Sequence, residues 1–239
     1  MTIKPFAQEN GAKTYAWNGM RVNWRHPLTN RLRAVCVCNG SIPGIELLSG
    51  RPLVLTGTTT DPALVTTRCG QAWQFTTANS LNRLTMANNE RFFELSTPQT
   101  FSIAARVSFL VTPTAARRVV GIGGSAGFAT TATGQLQLRG VGAVATCQTI
   151  VQPNALYMVV VSGGGSRNGQ AFLYLNGGLD GFVVDSASGS SVAGVEIGAG
   201  IGANTECGAA ISSVFVWKDR MLSQAEAVWL TQSPFDFFL

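Results

Sequence analysis

The residues able to do chemistry are few and badly spaced for it. His26 is the single histidine of the chain, so any Ser/His or Cys/His catalytic pair would have to use a residue held between Arg25 and Pro27. Glu90 and Glu94 stand four apart and would share one face of a strand, with Phe92 and Phe93 between them. Retaining glycoside hydrolysis needs two carboxyls about 5 Å apart, and no E-x-D-x-E run supplies them; the Glu-Arg-Phe-Phe-Glu pattern is ordinary amphipathic placement. Five cysteines, Cys36, Cys38, Cys69, Cys147 and Cys207, make an odd set without a compact framework. Cys36 and Cys38 point to the same face if they lie on a strand, are poorly placed to bond each other, and lack a matching pair elsewhere for a metal. Buried thiols are the expectation. Gly121-Ile122-Gly123-Gly124-Ser125-Ala126-Gly127 and Gly163-Gly164-Gly165 lack both a following helix and the G-K-[ST] ending of a phosphate loop, so both read as β-turns. No acidic cluster offers the six or more oxygens that Ca²⁺ takes. The expectation is a chain with no catalytic residue, no structural metal and no cofactor.

The elements that would position these residues are strands. Residues 101–111 alternate cleanly, with Phe101, Ile103, Ala105, Val107, Phe109 and Val111 on one face and Ser102, Ala104, Arg106 and Ser108 on the other. One face is then core, and the other wet or shared with a partner. Shorter strands are expected at 32–38, 52–56, 72–76, 84–87, 117–122, 127–131, 135–139, 144–149, 156–161, 171–175, 181–184, 195–198 and 210–217. Short strands at intervals near ten residues, broken by Gly, Asn and Ser clusters, indicate a two-sheet antiparallel sandwich. Phe101, Ile103, Val107, Phe109, Leu173, Leu175, Ile211 and Phe215 are the expected core. One helix is expected near 224–232, opened by the capping box Ser223-Gln224-Ala225-Glu226 and closed by Ser233-Pro234. Ala225, Val228, Trp229 and Gln232 would form its face. The apolar tail Pro234-Phe235-Asp236-Phe237-Phe238-Leu239 should be buried, on its own sandwich or in a neighbour.

Charge divides the chain. Charged residues are only 12% of it, about half the usual ~25%, which leaves much neutral surface of the kind found at interface cores. The net charge of +5 lies wholly in residues 1–33, where Lys4, Lys13, Arg21, Arg25, Arg31 and Arg33 face the single acid Glu9. Residues 1–31 lack sustained periodicity and read as an extended arm, with 32–239 as the domain. Phe6, Tyr15, Trp17 and Trp24 make the arm too aromatic for a solvated tail. Lys4, Phe6, Lys13, Tyr15, Trp17, Arg21, Trp24 and Arg25 are accordingly the candidate partner-contact residues. The basic charges form no dense run, and the body has no nucleic-acid motif, so a protein surface is favoured over nucleic acid. The first residues lack the apolar core of a secretory signal, and no run of eighteen apolar residues could span a membrane. Synthesis and folding in a reducing cytoplasm are expected.

Four segments carry a family resemblance over roughly residues 70–235. Gly70-Gln71-Ala72-Trp73-Gln74-Phe75 resembles a strand that follows the opening segment of laminin-G-like, concanavalin A-like jelly rolls. Thr100-Phe101-Ser102-Ile103-Ala104-Ala105-Arg106-Val107 is similar to their F-T-I-S-A-W-V strand, and Leu173-Tyr174-Leu175-Asn176-Gly177 to their L-Y-V-N-G turn. Arg220-Met221-Leu222-Ser223-Gln224-Ala225-Glu226 is similar to their closing R-A-L-S-x-x-E. Upstream, Val22-Asn23-Trp24-Arg25-His26-Pro27-Leu28 resembles an opening found in tailed-bacteriophage structural proteins that carry such domains. Where many relatives have an acidic pair before the closing strand, this chain has Ser212 and Ser213, which speaks against calcium. The resemblance implies a jelly-roll sandwich and a non-enzymatic virion protein made in a bacterial host, decorating or cementing a capsid through its arm. Its partners would be the capsid protein or neighbouring copies. The second class is a carbohydrate-binding module of a tail fibre, with a surface glycan as ligand and Trp73, Tyr174 and Trp217 as candidate platforms.

Overall fold

A computed structural model of the chain describes residues 5–9, 12–17, 20–38, 43–57, 62–67, 70–76, 82–86, 100–122, 126–139, 144–163, 169–184, 194–198 and 207–238. Three strands, β1 (Pro5–Glu9), β2 (Ala12–Trp17) and β3 (Met20–Arg21), form a small antiparallel sheet of their own. After a 3-10 turn at Pro27–Thr29 come β4 (Leu32–Val37), β5 (Ile45–Glu46), β6 (Arg51–Pro52), β7 (Val54–Thr56), β8 (Ala63–Thr67), β9 (Gly70–Gln74) and β10 (Arg83–Thr85). The long strand β11 (Phe101–Phe109) is followed by β12 (Arg118–Ile122), β13 (Ala126–Thr130), β14 (Gln135–Arg139) and β15 (Val144–Ile150). Then follow β16 (Leu156–Gly163), β17 (Gln170–Leu175), β18 (Gly178–Val184), β19 (Val195–Ile197), β20 (Ala209–Lys218) and the helix α1 (Gln224–Gln232). Two antiparallel sheets build the sandwich: a ten-stranded one in the order β18-β17-β16-β11-β20-β4-β5-β6 with β8 and β9 beside it, and a seven-stranded one, β15-β14-β13-β12-β19-β10-β7. The chain is an all-β, two-sheet jelly-roll sandwich with one short helix.

The core between the sheets follows the alternation of the sequence. Phe101, Ile103, Ala105, Val107 and Phe109 of β11 face Val120, Phe128, Leu138 and Ile197 across the interior, all within one buried cluster. Of the expected core residues only Leu175 is half-buried rather than buried. Within the sandwich two strands, Ile45–Glu46 and Ala63–Thr67, are not anticipated from the sequence; both are short and follow Gly- and Thr-rich stretches that mask the alternation.

The opposite face of β11 differs from expectation. It is largely covered: Ser102 and Ala104 are wholly buried, and Arg106 and Ser108 half-buried. A second apolar cluster covers the outside of the ten-stranded sheet, built from Leu28, Leu32, Val35, Ala104, Phe215, Trp217, Leu222, Ala227, Leu230 and Phe237. Both termini of the sandwich supply it. Leu28 comes from the segment before β4, and Phe237 from the tail, which folds back on its own chain.

Helix α1 begins as its sequence dictates. The Ser223 hydroxyl accepts from the Glu226 amide and the Glu226 side chain accepts from the Ser223 amide, closing the capping box. Its buried residues are Ala227 and Leu230, three apart, rather than the expected stripe of Ala225, Val228, Trp229 and Gln232. With only nine residues, the docking angle imposed by Leu222 just before the helix outweighs a weak amphipathic pattern. The turn from β17 to β18 is equally determined. Asn176 and Gly177 have φ of 51° and 82°, the left-handed pair that an Asn-Gly hairpin turn uses, and a Cβ on Gly177 would lie 2.8 Å from the Val228 backbone of α1.

Candidate functional site

Of the eight residues expected to contact a partner, five lie in the N-terminal sheet. Register pairs Pro5 with Tyr15 and Trp17 with Met20, and Phe6 with Thr14 and Ala16 with Arg21. Strand periodicity therefore puts Lys13, Tyr15 and Trp17 on one face of β2, the face of Pro5 and Met20, and Phe6 and Arg21 on the other. Lys4 lies outside the described residues. The region is thus a hairpin-built sheet rather than an extended arm. Lysine and threonine interrupt the apolar pattern of Ala12-Lys13-Thr14-Tyr15-Ala16-Trp17, which is why the strand was not legible in the sequence.

Trp24 and Arg25 stand elsewhere. Residues 22–31, expected to belong to the arm, are clasped to the sandwich. Val22 bridges to Phe238, and the Asn23 amide donates to the Phe237 carbonyl at 2.7 Å. Trp24 is half-buried and Arg25 exposed. The Trp217 indole N–H donates to the Leu28 carbonyl at 2.6 Å. Arg220 donates to the carbonyls of Pro27 and Asn30, each at 2.7 Å, and pairs with Glu226. Leu28 and Trp217, both completely buried, are the physical reason that this segment stays with the body.

This clasp explains the closing motif. Arg220 spans from the helix cap to the segment before β4, Leu222 is buried, and its amide donates to the hydroxyls of Ser102 and Ser162 at 3.0 and 3.2 Å. Ser223 and Glu226 make the capping box. Every distinctive residue of the segment has a structural role.

The chemistry-bearing groups are likewise absorbed into packing. His26 caps the 3-10 turn by accepting from the Leu28 amide at Nδ1, and its ring lies on Trp229 at 4.3 Å between centroids. Cys36, Cys147 and Cys207 are buried and Cys38 half-buried, none of them in a disulfide. Burial pushes the Cys36 thiol up, helped by the charge of Glu46. Burial also raises Cys147, together with a hydrogen bond to Asp180 and that carboxylate's charge. Such thiols are poor nucleophiles. Among the described residues, no group of three His, Cys, Asp or Glu side chains is placed to hold a metal, and no helix is long and apolar enough to cross a membrane. Glu90, Glu94 and Cys69 lie outside the described residues.

Two buried carboxylates escaped the sequence reading, Glu196, which lies 3.9 Å from Arg83, and Glu46. Glu46 is 2% exposed and accepts from the amides of Val35 and Leu48 at one oxygen and of Ser49 at the other, at 2.9, 3.0 and 2.6 Å. It ties the turn after β5 to β4. Nothing in its local sequence marked it as more than a surface acid.

The aromatic residues suggested as glycan platforms are not available. Trp73 and Trp217 are fully buried, and Tyr174 is 5% exposed; all three fill cores. Tyr174 is also shifted upward by burial and by Glu226. What the described surface offers instead is an apolar patch. Leu179, Phe182 and Val228 are 50%, 48% and 36% exposed. The Phe182 ring lies 5.2 Å from that of Phe172, which stacks on Tyr174.

No family model matches the sequence, and no curated protein matches it. Solved structures do. A Trypanosoma rangeli sialidase in complex with 2,3-difluoro-KDN is 16% identical with a TM-score of 0.61, over 87% of this chain and 33% of that one. The binding domain of Paraclostridial Mosquitocidal Protein 1 is 15% identical with a TM-score of 0.60, over 87% of this chain and 53% of that one. The binding domain of botulinum neurotoxin serotype D/C VPI 5993 is 10% identical with a TM-score of 0.60, over 85% and 52%. The chain thus spans about a third of the sialidase and about half of each toxin domain, and at these identities what it shares with them is the β-sandwich fold.

Proposed function

We propose that this protein is a non-enzymatic attachment module of a larger particle, its sandwich serving as body and the basic, aromatic sheet of residues 5–21 as the docking element. The observation that carries the reading is a discontinuity. The strands β1 to β3 hydrogen-bond as a sheet separate from both sandwich sheets, whereas the residues immediately after them, from Val22 onward, are pinned to the body. With β3 only two residues long, this sheet is little more than a two-stranded hairpin, which is marginal on its own in water. Its charge would orient and speed docking on an acidic protein more than tighten it. The resemblance of residues 22–28 to the opening of tailed-bacteriophage structural proteins favours a virion, with the capsid protein or another copy of the chain as partner. The test is the copy number of the intact chain and of residues 22–239 in purified particles. Loss of incorporation by a truncated chain that still melts cooperatively supports the reading, and incorporation at the full level removes it.

Glycan binding is the second reading, supported by the fold shared with binding domains of two toxins. Phe182, 48% exposed, would be its platform. A glycan array with the intact chain and a Phe182→Ala variant decides it: binding that survives the substitution places any sugar elsewhere.

A further inference from the structure

The cationic side chains described on the sandwich fall into two sets. Arg83 and Arg220 pair with Glu196 and Glu226, and Arg51, Arg106, Arg117 and Arg118 each have an interaction of their own. Arg25, Arg31, Arg33 and Lys218 have no ion pair among the described residues, and all four stand at one pole of the sandwich. β4 begins there and β20 ends there. The Lys218 amide donates to the Arg31 carbonyl at 3.1 Å, and Arg220 holds the carbonyls of Pro27 and Asn30. Arg25 and Arg31 are exposed, Arg33 and Lys218 half-buried. Residues 22–38 contain no aspartate or glutamate, which leaves Asp219 as the acid of these segments.

Backbone conformation singles out Arg31. The residues other than glycine with positive φ among those described are Arg31, Asn154, Asn176 and Asp219. Asparagine and aspartate tolerate the left-handed region, whereas arginine seldom enters it. Arg31, at φ 62°, stands where glycine would be free of strain, and outliers of this kind gather where a side chain is used. Arg33 adds a second irregularity. It is the extra residue of a bulge, since Trp217 pairs with Leu32 and Val216 with Ala34, and its Nε is buried without a hydrogen-bond partner. Strain and an unsatisfied guanidinium thus occur together where the unpaired charge is.

We infer that this pole is a docking surface fixed to the body, and that it takes a carboxylate-rich segment of a partner protein. Guanidinium groups bind carboxylates through paired N–H donors, and several cations without ion pairs would draw in and orient an acidic segment. Nucleic acid fits the pole less well, because residues 22–38 and 218–220 hold no exposed aromatic on which bases could stack. The inference goes beyond the attachment reading above, which assigns docking to the sheet of residues 5–21. The pole binds whether or not that sheet does.

Fluorescence anisotropy of a labelled poly-glutamate peptide with the full chain tests this. Arg31→Gly should melt no lower than the unaltered chain, because glycine accepts the left-handed region, yet should bind the peptide several-fold more weakly. A variant carrying Arg25→Glu, Arg31→Glu and Lys218→Glu should bind it about tenfold more weakly or worse, while Arg117→Glu, beside the other sheet, changes binding little. Binding by the unaltered chain should fall as salt is raised. An unaltered chain that does not bind the peptide overturns the inference. So does binding that Arg31→Gly and the triple variant leave unchanged. Single-stranded DNA of equal charge bound more tightly than the peptide also overturns it, by making the pole a nucleic-acid surface. Lys13→Glu with Arg21→Glu keeps the two readings apart: peptide binding lost in that variant and kept in the triple variant places the acidic partner on the N-terminal sheet and sinks the pole. The attachment reading fails separately, through full incorporation of residues 22–239 into particles, which leaves peptide binding at the pole as it was.

Discussion

The two aromatic ends of this chain have opposite fates. At the C-terminal end, Phe235, Phe237 and Phe238 pack against Phe215, against His26 and against one another, on the outer face of the chain's own ten-stranded sheet. At the N-terminal end, the strands carrying Phe6, Tyr15 and Trp17 form a sheet with no strand of the sandwich. Composition does not separate the two, as both are rich in aromatics. What separates them is backbone pairing: Trp217, Arg220 and Phe237 hold the chain from Val22 onward to the body, while β1 to β3 pair with one another. An apolar terminus is therefore not by itself a docking element, since the C-terminal one packs on its own body.

The sharpest way to break the comparison is at the clasp. Replacing Trp217 by Ala removes a fully buried indole and orphans the Leu28 carbonyl, and should cost about 3–5 kcal/mol of unfolding free energy, read from denaturant melts. Arg220→Ala should cost about 2–3 kcal/mol, because two carbonyls and Glu226 lose a charged donor together; a cycle with Glu226→Ala should be clearly non-additive. Alkali offers a third probe. Burial raises the thiols of Cys36 and Cys147 in the folded state, so the unfolded chain ionises first. Stability is full below the ordinary thiol value of ~8.5 and should fall as pH rises above it, by at most about 1.4 kcal/mol per pH unit for each thiol. Melting temperatures between pH 7 and 11 should bend downward, and less so in a Cys36→Ala/Cys147→Ala variant. Ser223→Ala should cost about 1 kcal/mol through the lost cap, with helix α1 fraying first in hydrogen exchange. Removing residues 1–21 should change the melting temperature least of all; a large drop would mean that the N-terminal sheet belongs to the body and would erase the contrast between the ends.

Much of the sandwich was legible in the sequence because its strands obey period two. β11 and β20, together with the Asn-Gly turn and the capping box, are local patterns whose physics needs no partner. The covering of the outer face was not legible. Ser102 and Ala104 read as a solvent face by type, and only the return of residues 22–31 and of 220–238 over that face makes it a second core. Trp73 and Trp217 misled for the same reason, since a tryptophan on a strand has the same local pattern in a core and at a binding surface. The candidate patch at Leu179 and Phe182 was hidden by the bulge at Asp180, which shifts the alternation that a sequence reading relies on. Glu46 was hidden because three backbone amides, not a basic side chain, hold it.

The order of strands in the ten-stranded sheet bears on how the chain comes to be folded. β20 lies between β11 and β4, pairing Phe101 with Lys218 and Val35 with Phe215. During synthesis, β4 and β11 must wait for some hundred residues or more before the strand that joins them emerges. Contacts of such sequence separation close slowly, and until they do both strands expose open edges to other nascent chains. Folding should thus be late and nearly all-or-none, complete only once residues 209–218 have left the ribosome. A chain halted before Ala209 would lack the centre of its larger sheet rather than a rim, and would be a substrate for chaperones instead of a smaller sandwich.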